Sequence, residues 1–219
     1  MTRLLPLFPL DAVLLPETHL PLHVFEPRYR AMLADALAGE GLIGLHTLDP
    51  DGPPLRDGRP ALRAYGCAGE VVEHEALPDG RSNIVLRGAF RYRIAAERTG
   101  RAYRVAEVEE APVVPLAAGR EDGPGRRDLR RLLSRNVEKL AVSVGRAEAR
   151  HLPGPLSDEG LVNEAAARLG LGSEERYGLL EMDSLADRYA WVLDHVRSLQ
   201  MRVDLLAPFR REEIDPRWN

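Results

Sequence analysis

The stretch LPLHVFEPRYRAML, residues 20–33, changes abruptly from one regular pattern to another. At residues 20–24 apolar side chains occupy every second position, which is the period of a half-buried strand. Pro27 then fixes a backbone angle that suits the first turn of a helix, and apolar residues follow at helical spacing until Gly39. The stretch therefore predicts a strand that runs into a helix with few residues between them.

Around that helix, the first half of the chain predicts mostly short strands. The strand-like apolar runs are at residues 3–10, 42–47, 65–75, 84–86, 90–94 and 103–108. Pro78-Asp79-Gly80 is a turn signal, because proline presets the first corner and glycine accepts a positive φ, so we expect a hairpin there. Since few helices separate the strands, an antiparallel or mixed curled sheet is favoured over a doubly wound one.

The composition changes after residue 110. Residues 111–125 are rich in proline and glycine and have no period, which is typical of a linker. Apolar residues at helical spacing then predict helices near 129–144, 161–169, 174–181 and 185–207. We therefore expect an α+β protein with a β-rich part at 1–110, a linker at 111–125, a helical bundle at 126–208 and a tail at 209–219.

The amino-acid composition and net charge of the chain disfavour some classes of function. Hydrophobic residues make up 44% and charged residues 29% of the chain, as in ordinary folded proteins, and the net charge of −4 weighs against nucleic acid as the main partner. Cys67 lies in an apolar, strand-like run, so we expect a buried and unreactive thiol. No apolar run approaches the roughly 20 residues that span a bilayer, so a cytoplasmic protein is expected.

The motifs of common enzymes are missing or misplaced. A phosphate-binding P-loop and a Ser-Lys peptidase both need a lysine, and Lys139, the only one, lies among ordinary polar residues of a predicted helix. The glycines of GEGLIG, residues 39–44, follow a helix and precede a strand, the reverse of a dinucleotide-binding motif. His19 and His23 would be roughly 13 Å apart on a strand, too far to share a metal ion. We expect no enzymatic activity, no cofactor and no metal.

Five segments together resemble a known family, the LON substrate-binding domain found at the N-terminus of Lon proteases. They are PLFPLDAVLLP (6–16), LPLHVFEPRYRAML (20–33), LPDGRSNIVLRGAFRYRI (77–94), LVNEAAARLGL (161–171) and LLEMDSLADRYAWVL (179–193). The resemblance implies a PUA-like β-pseudobarrel followed by a helical bundle. It also implies recognition of protein substrates for a protease, here without the ATPase and peptidase domains of full-length Lon.

The function implied by the resemblance is a non-catalytic module that binds unfolded or extended protein segments. It would act as an adaptor or regulator in protein quality control, with a separate protease as one candidate partner. Such binding needs exposed apolar surface with a polar rim. The candidate residues are those of the strand-to-helix junction, together with two on the exposed side of the following hairpin: Phe25, Glu26, Arg28, Arg30, Phe90 and Tyr92. Alternatively, residues 26–29 only end a strand, start a helix and hold it by an internal ion pair.

RNA binding is a second hypothesis, from a different class of function. PUA-like folds also occur in RNA-modifying proteins, and a cluster of arginines begins the predicted helical part: Arg126, Arg127, Arg130 and Arg131. The negative net charge counts against this hypothesis. Arginines in such a run also commonly form the solvated face of a helix, which is the favoured interpretation.

Overall fold

The computed structural model of the protein describes residues 2–55, 58–117, 126–128 and 156–206. In chain order, its strands and helices are β1 (Thr2–Pro9), β2 (His19–Val24), α1 (Pro27–Ala38), β3 (Leu42–Leu48), β4 (Leu62–Ala76), β5 (Ser82–Arg98), β6 (Arg104–Glu110), α2 (Asp158–Arg168), α3 (Ser173–Glu181) and α4 (Leu185–Leu206). The α+β class is confirmed. The helix predicted at 129–144, most of the predicted linker and the tail lie outside the described residues, so the domain boundaries stay predictions.

The six strands form one sheet that closes on itself. Their order is β2-β5-β4-β3-β1-β6, and β6 also pairs with β5, which completes a barrel with β2 attached at its side. β1 and β3 are parallel, whereas the other pairs are antiparallel. The mixed, curled sheet predicted from the sequence and the pseudobarrel implied by the resemblance are both confirmed.

The strand β5 connects both parts of this sheet. The sequence predicted two strands, at 84–86 and 90–94, and this prediction was wrong because β5 continues through Gly88. At that point the N–H of Gly88 donates to the carbonyl of Thr18 (2.9 Å), and its carbonyl accepts from the N–H of Glu17 (2.8 Å). Before Gly88 one edge of β5 pairs with β2, and from Tyr92 onward β5 pairs with β6.

Several local features confirm the sequence interpretation. The helix α1 begins at Pro27, as predicted, and the hairpin turn at 77–81 joins β4 to β5. Ser157 caps α2, because its hydroxyl accepts a hydrogen bond from the N–H of Gly160 at 2.9 Å. Cys67 is 1% exposed, and burial raises the pKa of its thiol, which keeps it protonated and unreactive.

The barrel encloses a small core of its own. Its buried members are Leu5, Leu7, Ala68, Tyr92, Ala106 and Val108. Tyr92 is fully buried, so the prediction that it lies on the exposed side of a hairpin is wrong. Its hydroxyl fills space left by Gly44 and Gly66, since a Cβ at either glycine would lie 2.6 Å from the hydroxyl oxygen. The alternation along β5 was read correctly, but this face of the strand points into the barrel.

The opposite face of β5 is also covered, by the turn between α3 and α4. Arg91 lies on this face, is 3% exposed and donates to the carbonyl of Leu180 at 2.9 Å. Arg188 of α4, fully buried, donates to the carbonyl of Met182 at 3.0 Å and pairs with Glu159 at 3.0 Å. Carbonyl groups at a helix end lack partners within the helix. The two guanidinium groups satisfy those of α3 and so attach the helices to the sheet.

His46 is a titratable group buried inside the barrel. Its Nε2 lies 2.7 Å from the carbonyl oxygen of Arg63, which can only accept, so Nε2 carries the proton. The other ring nitrogen, Nδ1, then accepts from the hydroxyl of Tyr92 at 3.1 Å. Burial lowers the pKa of His46 to about 4, and the ring is neutral in the folded protein at neutral pH.

We therefore expect His46 to make stability depend on pH. As pH falls below about 6.5, the unfolded chain gains a proton on this ring that the folded protein accepts only near pH 4, so stability is lost across that window. The loss is about 3 kcal/mol. Urea unfolding of the native protein and of His46→Gln, which keeps a donor and an acceptor but does not titrate, measures it as a difference. A constant difference between pH 7 and pH 4 would contradict the assignment.

Candidate functional site

The junction between β2 and α1 exposes a large apolar side chain. Phe25 lies between the two elements and is 58% exposed. Its ring stacks on the ring of His23, with centroids 6.0 Å apart and planes 24° from parallel. The strand has ended and the helix has not begun, so neither element draws Phe25 into the core. The junction thus carries an exposed apolar residue, and its role in binding stays a prediction.

Two charged neighbours of Phe25 pair with each other. Glu26 precedes the first turn of α1 without capping it, and its Oε2 lies 2.8 Å from the Nη2 of Arg28. The guanidinium of Arg28 also lies 4.5 Å from the ring centroid of Tyr29. The internal ion pair of the alternative interpretation is thus present. Both side chains are more than a third exposed, however, and such pairs are worth about 0–1 kcal/mol, so a ligand can replace one partner at little cost.

The other predicted residues lie elsewhere. Arg30 reaches across to the β4–β5 turn, where a Cβ on Gly80 would lie 2.2 Å from its Nη2. Phe90 is half-buried at the barrel core, with the guanidinium of Arg3 5.4 Å from its ring centroid. Tyr92, being fully buried, cannot contact a partner. The structure thus brings Phe25, Glu26 and Arg28 together and separates them from the barrel residues.

Arg28 also forms part of one wall of a cleft of about 500 Å³ at one end of the barrel. The last residues of the parallel strands β1 and β3 border it, and the β5–β6 turn forms the opposite wall, reversing at Gly100 with φ of +102°. Among the described residues, five arginines line it and no aspartate or glutamate does: Arg28, Arg59, Arg98, Arg101 and Arg104. We call these five residues and the space between them the arginine cleft.

Carboxylates behind the walls pair with the arginines that line the arginine cleft. Arg101 lies 2.6 Å from Asp35, and Arg98 pairs with Glu107. Two of the arginines share one partner, since Glu97 pairs with both Arg59 and Arg104. With the pair between Glu26 and Arg28, each of the five arginines has a carboxylate partner among the described residues.

Two buried tyrosines contribute to the walls of the arginine cleft. Tyr29 and Tyr103 are 7% and 9% exposed, and burial raises the pKa of both, so their hydroxyl groups stay protonated at neutral pH. The hydroxyl of Tyr103 donates to Asp35, the carboxylate that also holds Arg101. Tyr103 thus fixes Asp35, and through it the position of one arginine at the mouth.

The arginines of the RNA hypothesis are only partly described. Arg126 lies 2.8 Å from Asp158 and is occupied by this ion pair, while Arg127 is exposed. Arg130 and Arg131 lie outside the described residues. The described residues contain no cluster of three or more His, Cys, Asp or Glu side chains placed to hold a metal ion. Nor does any helix among them combine the length and apolar content of a membrane span.

Four of the five cleft arginines, all except Arg28, were not predicted from the sequence as site residues. Three of them lie within seven residues around the Gly100 turn, in the string RTGRAYR at 98–104, and that local density was a usable signal. Its proximity to Arg28 and Arg59 was not visible, because both are separated from the turn by long stretches of chain.

Comparisons with known proteins agree with this architecture. Residues 4–198 match the family described as the ATP-dependent protease La (LON) substrate-binding domain. A Lon protease of Flavobacterium johnsoniae is 22% identical over 94% of this chain, which spans only 26% of that protease.

Two solved structures have the same fold. The N-terminal domain of a Mycobacterium avium complex Lon protease has a TM-score of 0.65 at 19% identity, covering 89% of this chain and 98% of that domain. A Lon N-terminal domain protein from Xanthomonas campestris has a TM-score of 0.60 at 24% identity, covering 88% of this chain and 98% of that one. Given the family match over residues 4–198, this chain belongs to the LON substrate-binding domain family.

Proposed function

We propose that the protein is a non-catalytic module that binds extended or unfolded protein segments and acts in the cytoplasm as an adaptor or regulator for a separate protease in protein quality control. The observation that carries the proposal is the match of residues 4–198 to a substrate-binding domain. The name of that family describes binding of substrates, which is the part of proteolysis that precedes cleavage. We place the binding surface at Phe25 and the adjoining arginine cleft.

We propose a non-catalytic protein because the sequence lacks suitably placed lysines for the two catalytic activities of Lon proteases. A Ser-Lys peptidase needs a lysine close to its nucleophile, and the P-loop of an ATPase needs one beside the phosphates. The single lysine of this sequence, Lys139, has the neighbours Glu138 and Leu140, so the Gly-Lys-Ser/Thr string of a P-loop is not formed. Binding without cleavage is the activity that these residues support.

The binding surface combines an apolar anchor with a charged rim. Phe25 is among the most exposed large apolar side chains in the described residues, and Arg28 follows it by three positions at the edge of the arginine cleft. Interfaces with protein segments commonly place an aromatic anchor at the centre and charged groups around it. Because Phe25 is 58% exposed, a bound segment can cover the part of its ring that does not stack on His23.

Replacement of Phe25 by serine tests this surface. We expect the variant to bind a permanently unfolded protein, reduced and carboxymethylated α-lactalbumin, about fivefold more weakly, since an aromatic anchor commonly contributes more than 1 kcal/mol. Isothermal titration calorimetry measures the affinity. Met201→Ser, on α4 and 66% exposed, is the matched control and should bind like the native protein. If the native protein does not bind the unfolded protein, the proposed function is wrong.

A further inference from the structure

We infer that the open edge of β2 binds an extended polypeptide segment by antiparallel strand addition, so that the bound segment becomes a further strand of the sheet. The inference deepens the proposed function, on which it rests, because it names the bonds through which a segment is held. It follows from the direction of the backbone groups of β2, from the proline within this strand and from the side chains on its two faces.

The strand β2 has one paired edge and one open edge. It pairs with β5, and no other described strand pairs with it. Residues of an antiparallel pair of strands alternate between hydrogen-bonded and non-bonded positions. The position of Thr18 is bonded, since the N–H of Gly88 donates to its carbonyl at 2.9 Å. His19, Pro21 and His23 therefore take the non-bonded positions, and their backbone groups point away from β5.

The open edge offers two donors and three acceptors to an added strand. The donors are the N–H groups of His19 and His23, and the acceptors are the carbonyl groups of these residues and of Pro21. All three residues are exposed, and no described backbone group bonds to them from this side. An open edge of this kind is a template for another strand, and several peptide-binding domains hold extended peptides in this way.

Pro21 makes a second copy of this chain a poor occupant of the edge. If two copies of β2 paired antiparallel about a twofold axis at the centre of the strand, Pro21 would lie opposite Pro21 of the other copy. Two carbonyl groups would then face each other, with no N–H between them. A different segment places an N–H at this position and donates to the Pro21 carbonyl. The edge therefore suits a segment of another protein better than a copy of itself.

The open edge of the neighbouring strand β4 is protected, unlike that of β2. β4 pairs with β3 as far as Glu70, and no described strand lies on that side of residues 72–76. A register shift interrupts β4 between Val71 and Glu73, and Glu73 and Glu75 add charge. Bulges and charged side chains commonly prevent pairing at an edge. β2 pairs with β5 without a register shift and contains no Asp, Glu, Lys or Arg, so its edge stays open to pairing.

The two faces of β2 predict the pattern of side chains in the bound segment. Leu20 and Leu22 are half-buried and pack against the main core, whereas the residues between them face solvent. Residues opposite each other on paired strands place their side chains on the same face. Apolar residues at every second position of the segment would therefore extend the row of Leu20 and Leu22. We expect a preference for segments in which apolar and polar residues alternate.

The edge is also held in position before a segment binds. The Nδ1 atom of His23 lies 2.8 Å from the side-chain oxygen of Asn83, and the amide nitrogen of Asn83 donates to Glu75 at 2.8 Å. These hydrogen bonds connect the end of β2 across β5 to β4. A preformed edge has little conformational freedom to lose on binding, which favours affinity.

The test uses three short labelled peptides in which valine and glutamine alternate. One is unmodified, the second carries N-methyl groups on two glutamines, and the third carries them on two valines. With the valines beside Leu20 and Leu22, antiparallel pairing directs the glutamine N–H groups towards β2 and the valine N–H groups away from it. By fluorescence anisotropy with the full chain, we expect the glutamine-methylated peptide to bind about tenfold more weakly than the other two.

A variant of the edge locates the effect on the protein. His19→Pro removes one of the two donors, and proline is tolerated at this position because His19 is the first residue of an edge strand. His19→Ala removes the same side chain but keeps the N–H, so it is the matched control. The unmodified peptide should bind His19→Pro about fivefold more weakly than His19→Ala. Thermal unfolding checks the fold of both variants, and the comparison of peptides on the native protein needs neither.

The outcomes separate the inference from the proposed function. If the two methylated peptides bind equally while unfolded α-lactalbumin still binds, strand addition is overturned and the proposed function stands. Absence of binding by all three peptides and by α-lactalbumin overturns both. Analytical ultracentrifugation tests the other occupant: a dimer formed by the native protein and by His19→Ala, but not by His19→Pro, would show that a second copy takes the edge and overturn the inference.

Discussion

Replacement of Arg91 by methionine is expected to destabilise the protein by about 3–5 kcal/mol, the range seen when one partner of a buried charged network is removed. The guanidinium donates to the carbonyls of Leu180 and Ala111, at 2.9 and 2.6 Å, and lies 2.7 Å from Asp183. Methionine fills part of the space but leaves buried carbonyl oxygens without donors, and each such group costs about 1–3 kcal/mol. Urea unfolding measures the loss.

Two controls separate the effect of the hydrogen bonds to backbone carbonyls from the effect of the ion pair with Asp183. Arg87 lies on the same strand but is exposed, so Arg87→Met should change stability by less than about 0.5 kcal/mol. The side chain of Asp183 is 65% exposed, and Asp183→Asn should therefore cost about 1 kcal/mol or less. If Arg91→Met proves no more destabilising than Arg87→Met, the guanidinium does not hold the helices to the sheet.

Gly88→Ala is the second substitution with a large expected effect. A Cβ there would lie 2.1 Å from the carbonyl oxygen of Leu15 and 3.0 Å from the Cα of Pro16, both backbone atoms. The loop cannot retreat without breaking the hydrogen bonds that join Gly88 to Glu17 and Thr18. We expect a loss of about 3 kcal/mol or more, which for a chain of this size lowers the melting temperature by roughly 10 °C.

The matched control is Gly178→Ala, within α3. A Cβ at Gly178 meets nothing within 4 Å, and alanine is favoured over glycine in a helix by about 0.5–1 kcal/mol. This variant should melt at or above the temperature of the native protein in differential scanning calorimetry. If the Gly88→Ala protein had the same melting temperature as the Gly178→Ala protein, the loop at residues 15–18 would have to adapt to the added Cβ without loss of stability.

Local sequence signals were sufficient to predict the strands and helices, but not to predict what packs against each of their faces. Pro27 and the Pro78-Asp79-Gly80 turn act through their own backbones, so the start of α1 and the β4–β5 hairpin could be predicted. Alternation along β5 indicates that Arg91 and Tyr92 point to opposite sides. It does not say what covers each side, and here a barrel interior lies on one side and helices more than 80 residues later in the chain lie on the other.

The same limit explains the candidate site. Phe25 could be recognised because its exposure follows from its position between a strand end and a helix start. The arginine cleft could not, since Arg28 and Arg59 meet the turn at Arg101 only after the barrel closes. The wrong prediction of a strand break at Gly88 has a similar cause. The loop that hydrogen-bonds to Gly88 inside β5 comes from residues 15–18, far away in the sequence.

The pairing of β6 with β1 has a consequence for synthesis of the chain on the ribosome. Residues 2–7 pair with residues 104–109, so β1 must wait until β6, about 100 residues later in the chain, has been made. At about 5–20 residues per second, that interval is roughly 5–20 s. During it the apolar side of β1, with Leu5 and Leu7, has no barrel to enter. Slower translation should therefore raise the yield lost to aggregation, whereas nascent-chain chaperones that cover this strand should recover it.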